Sequence, residues 1–193
     1  PGARIYSFEP ISDVCAALRL NAELYGAESV KVYECGLSDR EREETFTYYP
    51  RQTMMSGRSA YADTEYEKEV MKLAMRQADD IDQELLLGEA DALLQRRFET
   101  QTERCRLRRL SDVMREEGVE RIDLLKVDVQ RSELDVLLGV EEQDWQKIDQ
   151  VVMEVHDRKG SADEGRLQQI EQFLEARGFK VVTEQIAMLQ GTD

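Results

Sequence analysis

The chain has 193 residues, of which 41% are hydrophobic and 35% charged, and its formal net charge is −15. This composition is typical of one globular domain and excludes a disordered chain. A protein with this much negative charge lacks the basic surface that neutralises phosphates. We therefore expect no nucleic-acid partner. No apolar run approaches the roughly 18 residues of a membrane span, and the three cysteines have no metal-binding spacing. We therefore expect a cytoplasmic protein with reduced thiols, no membrane contact and no signal peptide.

The first part of the chain predicts alternating strands and helices. A strand is expected at residues 4–8, followed by a helix at 11–25 that ends at Gly26. Further strands are expected at 30–35 and 44–49, because both are rich in β-branched and aromatic side chains. A turn lies between these two strands, so they could pair as a hairpin.

The middle of the chain predicts a helical insertion or lid at residues 50–109. From about residue 61 onward, apolar side chains recur every third or fourth position between charged ones. The segment before these helices mixes aromatic, methionine and small residues: Tyr48, Tyr49, Met54, Met55, Gly57 and Tyr61. Such a composition could line a channel for a substrate that accepts a transferred group, or these side chains could simply belong to the core.

Arginines are concentrated near the end of this insertion, in an otherwise acidic chain. They are Arg96, Arg97, Arg104, Arg106, Arg108 and Arg109. The cluster could form a basic patch that docks an acidic partner, or a solvated helix face balanced by neighbouring glutamates. The sequence leaves both alternatives open.

The last part of the chain predicts a parallel β-α-β unit. Apolar strands are expected at 122–128 and 148–155, with an amphipathic helix at 132–140 between them. Outside this unit we expect helices at 111–118 and 167–177 and a final strand at 179–183. In parallel sheets of this kind, ligands bind beyond the carboxyl ends of the strands.

The predicted catalytic side chains stand at those strand ends. His156 is the only histidine in the chain, and an imidazole titrates near neutrality, as a general base requires. Glu154 lies two residues earlier, on the same face of a strand, where it could orient the imidazole. Asp128 could position a reactant or help remove a proton, or it could be a turn acid. Together with Asp157 these groups could hold a hard divalent ion, but their spacing is not clearly that of a metal site, and we predict none.

Several segments carry a resemblance to a known family. Residues 124–137 read LLKVDVQRSELDVL, residues 148–157 read IDQVVMEVHD, and SFEP at 7–10 and CGLSD at 35–39 precede them. In order and spacing they resemble FkbM-type S-adenosylmethionine-dependent methyltransferases, most closely the branch embedded in polyketide and nonribosomal peptide synthases. The family often reads Val-Glu-Gly-Ala-Glu where this chain has Val-Gln-Arg-Ser-Glu at 129–133, so no role is transferred from the first acid.

The resemblance implies a fold, a cofactor and cofactor-binding residues. The fold would be the α/β, class I Rossmann-like methyltransferase sheet with helices on both faces, and the cofactor S-adenosylmethionine. Glu9, followed by Pro10, would accept hydrogen bonds from the ribose hydroxyls, although it could also be an ordinary helix-start acid. Gly36 and Leu37 would flank the adenine ring, and Asp128 would lie where methyl donor and acceptor meet.

The family's first strand and glycine-rich turn have no counterpart in this sequence. We therefore expect residues 1–193 to form a single, N-terminally incomplete methyltransferase domain cut from a larger polypeptide. The strand edges that such a truncation exposes could pair with a second copy, so a homodimer is a further possibility.

The resemblance also implies a reaction. We expect O-methyl transfer to a hydroxyl of a carrier-protein-bound polyketide or peptide intermediate, with His156 as the base and an acyl-carrier protein as the partner. The alternatives are O-methylation of a free small molecule or sugar, and a degenerate structural domain that does not catalyse.

Overall fold

The computed structural model describes residues 2–26, 28–77 and 93–184. Five helices have defined bounds: α1 (Ser12–Leu24), α2 (Thr64–Gln77), α3 (Leu110–Glu117), α4 (Glu133–Leu138) and α5 (Arg166–Glu175). The strands are β1 (Ile5–Phe8), β2 (Val30–Tyr33), β3 (Gly36–Leu37), β4 (Arg42–Tyr48), β5 (Gly57–Arg58), β6 (Gln101–Arg108), β7 (Leu125–Val127) and β8 (Val151–Met153). Short 3-10 turns occur at Thr53–Met55, Ser59–Tyr61 and Glu142–Lys147.

Two parallel β-α-β units confirm the predicted alternation. In the first, α1 connects β1 to β2, and Ile5 stands opposite Val30. In the second, α4 connects β7 to β8, with Leu125 opposite Val151. Within the described ranges, β1 pairs only with β2 and β7 only with β8, so each of these strands keeps one edge without a strand partner.

A mixed sheet forms between these units, in the order β3-β6-β4-β5. The expected hairpin of β2 and β4 is wrong, because β4 pairs antiparallel with β5 and β6 instead. The helical prediction up to residue 109 is also wrong over β6, where Cys105 and Leu107 are buried while Arg104 and Arg106 are exposed. This alternation has the period of two that defines a strand with one buried face.

The largest core lies between the second β-α-β unit and helices α3 and α5. Leu137 is completely buried there, and Trp145 meets the rings of Phe173 and Phe179 edge-on at 5.5 and 5.9 Å. Residues 179–183 form no strand, contrary to the prediction; Phe179 instead packs its ring against Trp145.

A second core fixes the beginning of α1 against the mixed sheet. Ile11 packs with Phe46, Tyr48, Cys105 and Leu107, so Tyr48 belongs to the core. All three cysteines of the chain are buried and unpaired. No helix of the described segments has the length and apolarity to cross a membrane.

Candidate functional site

The strand ends that the sequence predicts as functional surround one core. Phe8 at the end of β1, Leu37 in β3, Val129 after β7 and Val155 after β8 all pack against the largest core cluster. The predicted site residues lie within two positions of these four residues. The fold therefore brings the strand ends that carry them together around that core.

His156 forms a close polar contact with Glu133. Its Nδ1 lies 2.6 Å from Oε1 of Glu133, whose side chain is 0% exposed, whereas the imidazole is 25% exposed. Glu133 is the first residue of α4, and His156 follows the end of β8. A carboxylate at Nδ1 fixes the proton on that nitrogen and leaves Nε2 as the basic atom.

The buried carboxylate of Glu133 has two further neighbours. The backbone N–H of Arg131 donates to Oε1 at 3.1 Å, and Nη1 of Arg166 lies 3.8 Å from Oε2. A charged carboxylate needs such partners to remain buried, because its loss of hydration is costly. Glu133 is thus held in place by α5 and by the turn that precedes α4.

The environment of His156 raises its pKa. Burial by itself lowers the pKa, but the hydrogen bond to Glu133 and the charges of Glu133 and Glu154 together outweigh it. The pKa therefore lies above the ordinary value of about 6.5 for a histidine. Glu154 acts here only through its charge, because its side chain is exposed and its backbone N–H donates to the carbonyl of Val127 at 3.1 Å.

The neighbouring acids have structural partners. Asp128 is exposed and ion-paired with Lys126. Asp157 accepts hydrogen bonds from the backbone N–H groups of Gly165 at 3.0 Å and Leu167 at 2.9 Å, and so caps the beginning of α5. Among the residues that the structure describes, no group of three or more acids, histidines or cysteines is placed to hold a metal ion.

Glu9 and Gly36 lie near each other at the end of the first unit. Oε1 of Glu9 accepts the backbone N–H of Ile11 at 2.8 Å, and burial, followed by the charge of Glu103, raises the pKa of Glu9 above its ordinary value. A Cβ on Gly36 would lie 2.7 Å from a terminal methyl of Leu107 and 3.7 Å from Pro10, so a larger residue there would displace the Leu107 side chain. The predicted residues Glu9, Pro10 and Gly36 are therefore one contiguous group.

A small pocket is connected to the His156–Glu133 pair through Arg131. Its lining comprises Tyr49, Met55, Gly57, Arg58, Tyr61, Ala62, Asp63, Gln130 and Arg131. Four of the residues predicted to line an acceptor channel are among them, whereas Met54 is exposed. Arg131 belongs both to this lining and to the contacts of Glu133.

The charged side chains of the pocket already have opposite charges as partners. Arg58 bonds Glu44 at 2.9 Å and also pairs with Asp135. Asp63 accepts a hydrogen bond from Arg158 at 3.0 Å. Arg131 lies 3.5 Å from Asp163. The pocket therefore presents matched charges to whatever enters it.

Four of the clustered arginines are also ion-paired. Arg104 lies 3.0 Å from Glu43 of β4, and Arg106 lies 2.5 Å from Glu41, the residue before β4. Arg108 pairs with Glu116, and Arg109 pairs with Asp112 and Glu141. These side chains form a charge-balanced surface rather than a bare basic patch.

Glu133 is the site residue that sequence reasoning missed. Its signal was present, because Glu133 stands where the resembling family keeps the second acid of Val-Glu-Gly-Ala-Glu. Burial and contact with the only histidine give that acid a role that the one-dimensional pattern does not reveal.

Parallel β-α-β units with polar residues beyond the carboxyl ends of their strands are typical of the Rossmann-like class of α/β proteins. The family model described as the methyltransferase FkbM domain matches residues 1–181. The chain belongs to the FkbM methyltransferase family.

Curated relatives agree with this assignment. The AMB antimetabolite synthetase AmbE of Pseudomonas aeruginosa is 45% identical over 194 residues, which cover 100% of this chain and 9% of AmbE. The 31-O-demethyl-FK506 methyltransferase FkbM of Streptomyces tacrolimicus is 38% identical over 197 residues, covering 100% of this chain and 70% of that protein. Methyltransferase sdnD of Sordaria araneosa is 36% identical, with 94% and 66% covered. No solved structure gives a significant match.

Proposed function

We propose that this chain transfers a methyl group from S-adenosylmethionine to a hydroxyl oxygen of a carrier-protein-bound polyketide or peptide intermediate. The observation that carries the proposal is the hydrogen bond between His156 and the buried Glu133. The names of two relatives support two parts of this proposal, the oxygen acceptor and the synthase context. One is named for a 31-O-demethyl substrate, and another is named a synthetase, of which this chain matches only 9%.

His156 acts as the general base. Methyl transfer to oxygen requires a proton to leave the hydroxyl, and a neutral imidazole can accept that proton at Nε2. Glu133 keeps the ring oriented through Nδ1 and stabilises the imidazolium that forms. The exposed quarter of the His156 side chain leaves the imidazole accessible to an acceptor.

Cofactor binding falls to the group around Glu9. Within the described residues, Oε2 of Glu9 receives no hydrogen bond, so it is available to accept from ribose hydroxyls. Pro10, Gly36 and Leu37 supply apolar and backbone surface beside it, and Asp128 would face the methyl donor. When bound, S-adenosylmethionine supplies an electrophilic methyl group; alignment with the hydroxyl is then a matter of positioning.

The acceptor end that enters the pocket is uncharged. Arg58, Asp63 and Arg131 are already neutralised by their partners, and a further charge there would lose hydration without gaining a counterion. The half-buried side chains of Met55 and Tyr61 would offer apolar surface to an acyl chain that carries a hydroxyl. We extend the proposal to a cytoplasmic setting, which the buried, unpaired cysteines support.

The test follows the intact mass of a β-hydroxybutyryl acyl-carrier protein incubated with S-adenosylmethionine and the full-length protein that contains this chain. We expect the gain of one methyl group, its loss in His156→Asn, and an unchanged rate in Asp123→Asn, which alters an exposed acid. The same β-hydroxybutyryl group attached to free pantetheine serves as the comparison. If it is methylated as efficiently as the carrier-bound form, a free small-molecule acceptor is favoured instead. Cofactor binding without any transfer would contradict the acceptor class, and no binding would favour a non-catalytic domain.

A further inference from the structure

Arg131 has a backbone conformation that its side chain disfavours. Its φ is +59°, and it is the only non-glycine residue with positive φ in the part of the chain that the structure describes. A Cβ makes this left-handed region unfavourable, so glycine is the usual residue there. Strained residues of this kind persist where the surroundings fix them, and they concentrate at functional sites.

The guanidinium of Arg131 connects two segments of the chain: residues 59–66, which contribute to the pocket, and the turn that precedes α5. Nη1 donates a hydrogen bond to the carbonyl of Tyr61 at 2.6 Å, and Nε lies 3.5 Å from Oδ2 of Asp163. Its central carbon lies 5.8 Å from the centre of the Tyr66 ring. The side chain is held on both sides, and the residue is only 8% exposed. Residues 59–66, which we call the pocket wall, are thereby tied to the segment that begins α5.

The backbone of Arg131 contacts the catalytic pair as well. Its N–H donates to the same oxygen of Glu133 that bonds the imidazole of His156, at 3.1 Å. One residue therefore joins the pocket wall, through its side chain, to the support of the general base, through its main chain. A glycine would keep the second connection and lose the first.

We propose that Arg131 sets the affinity for the acceptor by holding the pocket wall in register with the His156–Glu133 pair. This inference rests on the proposed function and names a residue that shapes its acceptor site. Arg131 is a positioning residue, because its cation is already occupied by Tyr61 and Asp163 and acts on the acceptor through the wall. It explains why a strained arginine occupies a place that glycine would fill without strain.

Three substitutions separate positioning from simple stabilisation. Arg131→Gly removes the guanidinium and relieves the strain, Arg131→Ala removes the guanidinium and keeps the strain, and Arg131→Lys keeps a charge that cannot reach both partners. We expect Gly and Ala to raise the KM for β-hydroxybutyryl acyl-carrier protein at least tenfold, with a smaller fall in kcat and unchanged S-adenosylmethionine affinity. Lys should be intermediate. The melting temperature of the Gly variant should exceed that of Ala by several degrees.

The outcome that overturns the proposal is a KM for Arg131→Gly equal to that of the wild type. Arg121→Ala, which removes an exposed ion pair with Asp149, is the matched control and should leave KM unchanged. A fall in melting temperature without any change in KM would show that Arg131 only stabilises the fold.

A second readout does not depend on methyl transfer. Hydrogen exchange of the backbone amides of Ala62 and Tyr66 in the pocket wall should become at least tenfold faster in Arg131→Gly, while the β4–β6 ladder stays protected. Unchanged exchange in the wall would overturn the inference even if the enzyme methylates its acceptor. If the wild type transfers no methyl group, the proposed function fails, and the exchange rates still decide whether Arg131 holds the wall.

Discussion

Nδ1 of His156 lies 2.6 Å from Oε1 of Glu133, joining the end of β8 to the first residue of α4. The two side chains are 23 residues apart in sequence, so the contact exists only in the folded β-α-β unit. It gives the chain an oriented imidazole, and Arg131 connects the carboxylate partner of that imidazole to a pocket of matched charges.

The first prediction distinguishes the two glutamates near His156. Glu133→Gln should lower kcat about 10²-fold or more, because the imidazole loses the carboxylate that orients it and stabilises its charged form. Glu154→Gln should have a smaller effect, since Glu154 contributes charge without contacting the ring. Steady-state kinetics with the carrier-bound acceptor measure both variants. A larger loss in Glu154→Gln would contradict this assignment.

The β-α-β units were predictable because short-range sequence patterns determine where their strands and helices begin and end. The apolar runs of the strands, the start of α1 and the end of α3 can each be recognised from neighbouring residues in the sequence. Gly118, for example, adopts φ +62° at the end of α3. Strand β6 was missed because its charged residues resemble the preceding helical pattern. Its strand character depends on β4, a partner almost 60 residues away in sequence.

The candidate site was predictable only in part, for a geometric reason. The prediction that Glu154 orients His156 assumes a strand that continues through both residues, but β8 ends at Met153, so the rule that residues two apart share a face no longer applies. Glu133 could not be chosen from spacing, because its role comes from complete burial and from the loop that returns His156 to α4.

The second prediction concerns the ribose-binding role of Glu9. Glu9→Gln should weaken S-adenosylmethionine binding by about 1.5–3 kcal/mol, the usual contribution of a hydrogen bond to a charged group. Asp13→Asn, which changes an exposed acid in the first turn of α1, is the control and should bind normally. Titration calorimetry measures both affinities. Equal affinity of Glu9→Gln and wild type would assign Glu9 to the helix start alone.

The third prediction treats Asp157 as a structural acid. Asp157→Ala removes both hydrogen bonds to the backbone at the beginning of α5 and should destabilise the fold by about 0.5–2 kcal/mol. Urea unfolding measures this loss, and Asp157→Asn should recover part of it. The kcat of the folded Asp157→Ala enzyme should stay within a few-fold of wild type. A loss of turnover without a loss of stability would place Asp157 in the chemistry.

The fourth prediction concerns the charge of the acceptor. A neutral β-hydroxybutyryl thioester should have a KM at least tenfold lower than a β-hydroxy thioester of similar length that ends in a carboxylate. A tenfold difference corresponds to about 1.4 kcal/mol, a modest cost for a charge that loses water without a free counterion. Initial rates measured over a range of concentrations of each thioester give the two KM values, and competition between the thioesters gives the ratio of their kcat/KM values. Preference for the acidic thioester would show that an arginine of the pocket is released from its partner.

The most direct test of the account compares the pH dependence of single-turnover methyl transfer with the titration of the His156 imidazole followed by NMR. The imidazole signal is identified by its loss in His156→Asn. Because the base must be neutral, the rate should be low below the raised pKa of His156 and increase to a plateau above it. In Glu133→Gln both the kinetic and the NMR pKa should fall together. A rate that stays constant across the pH range in which His156 titrates would contradict its role as the general base.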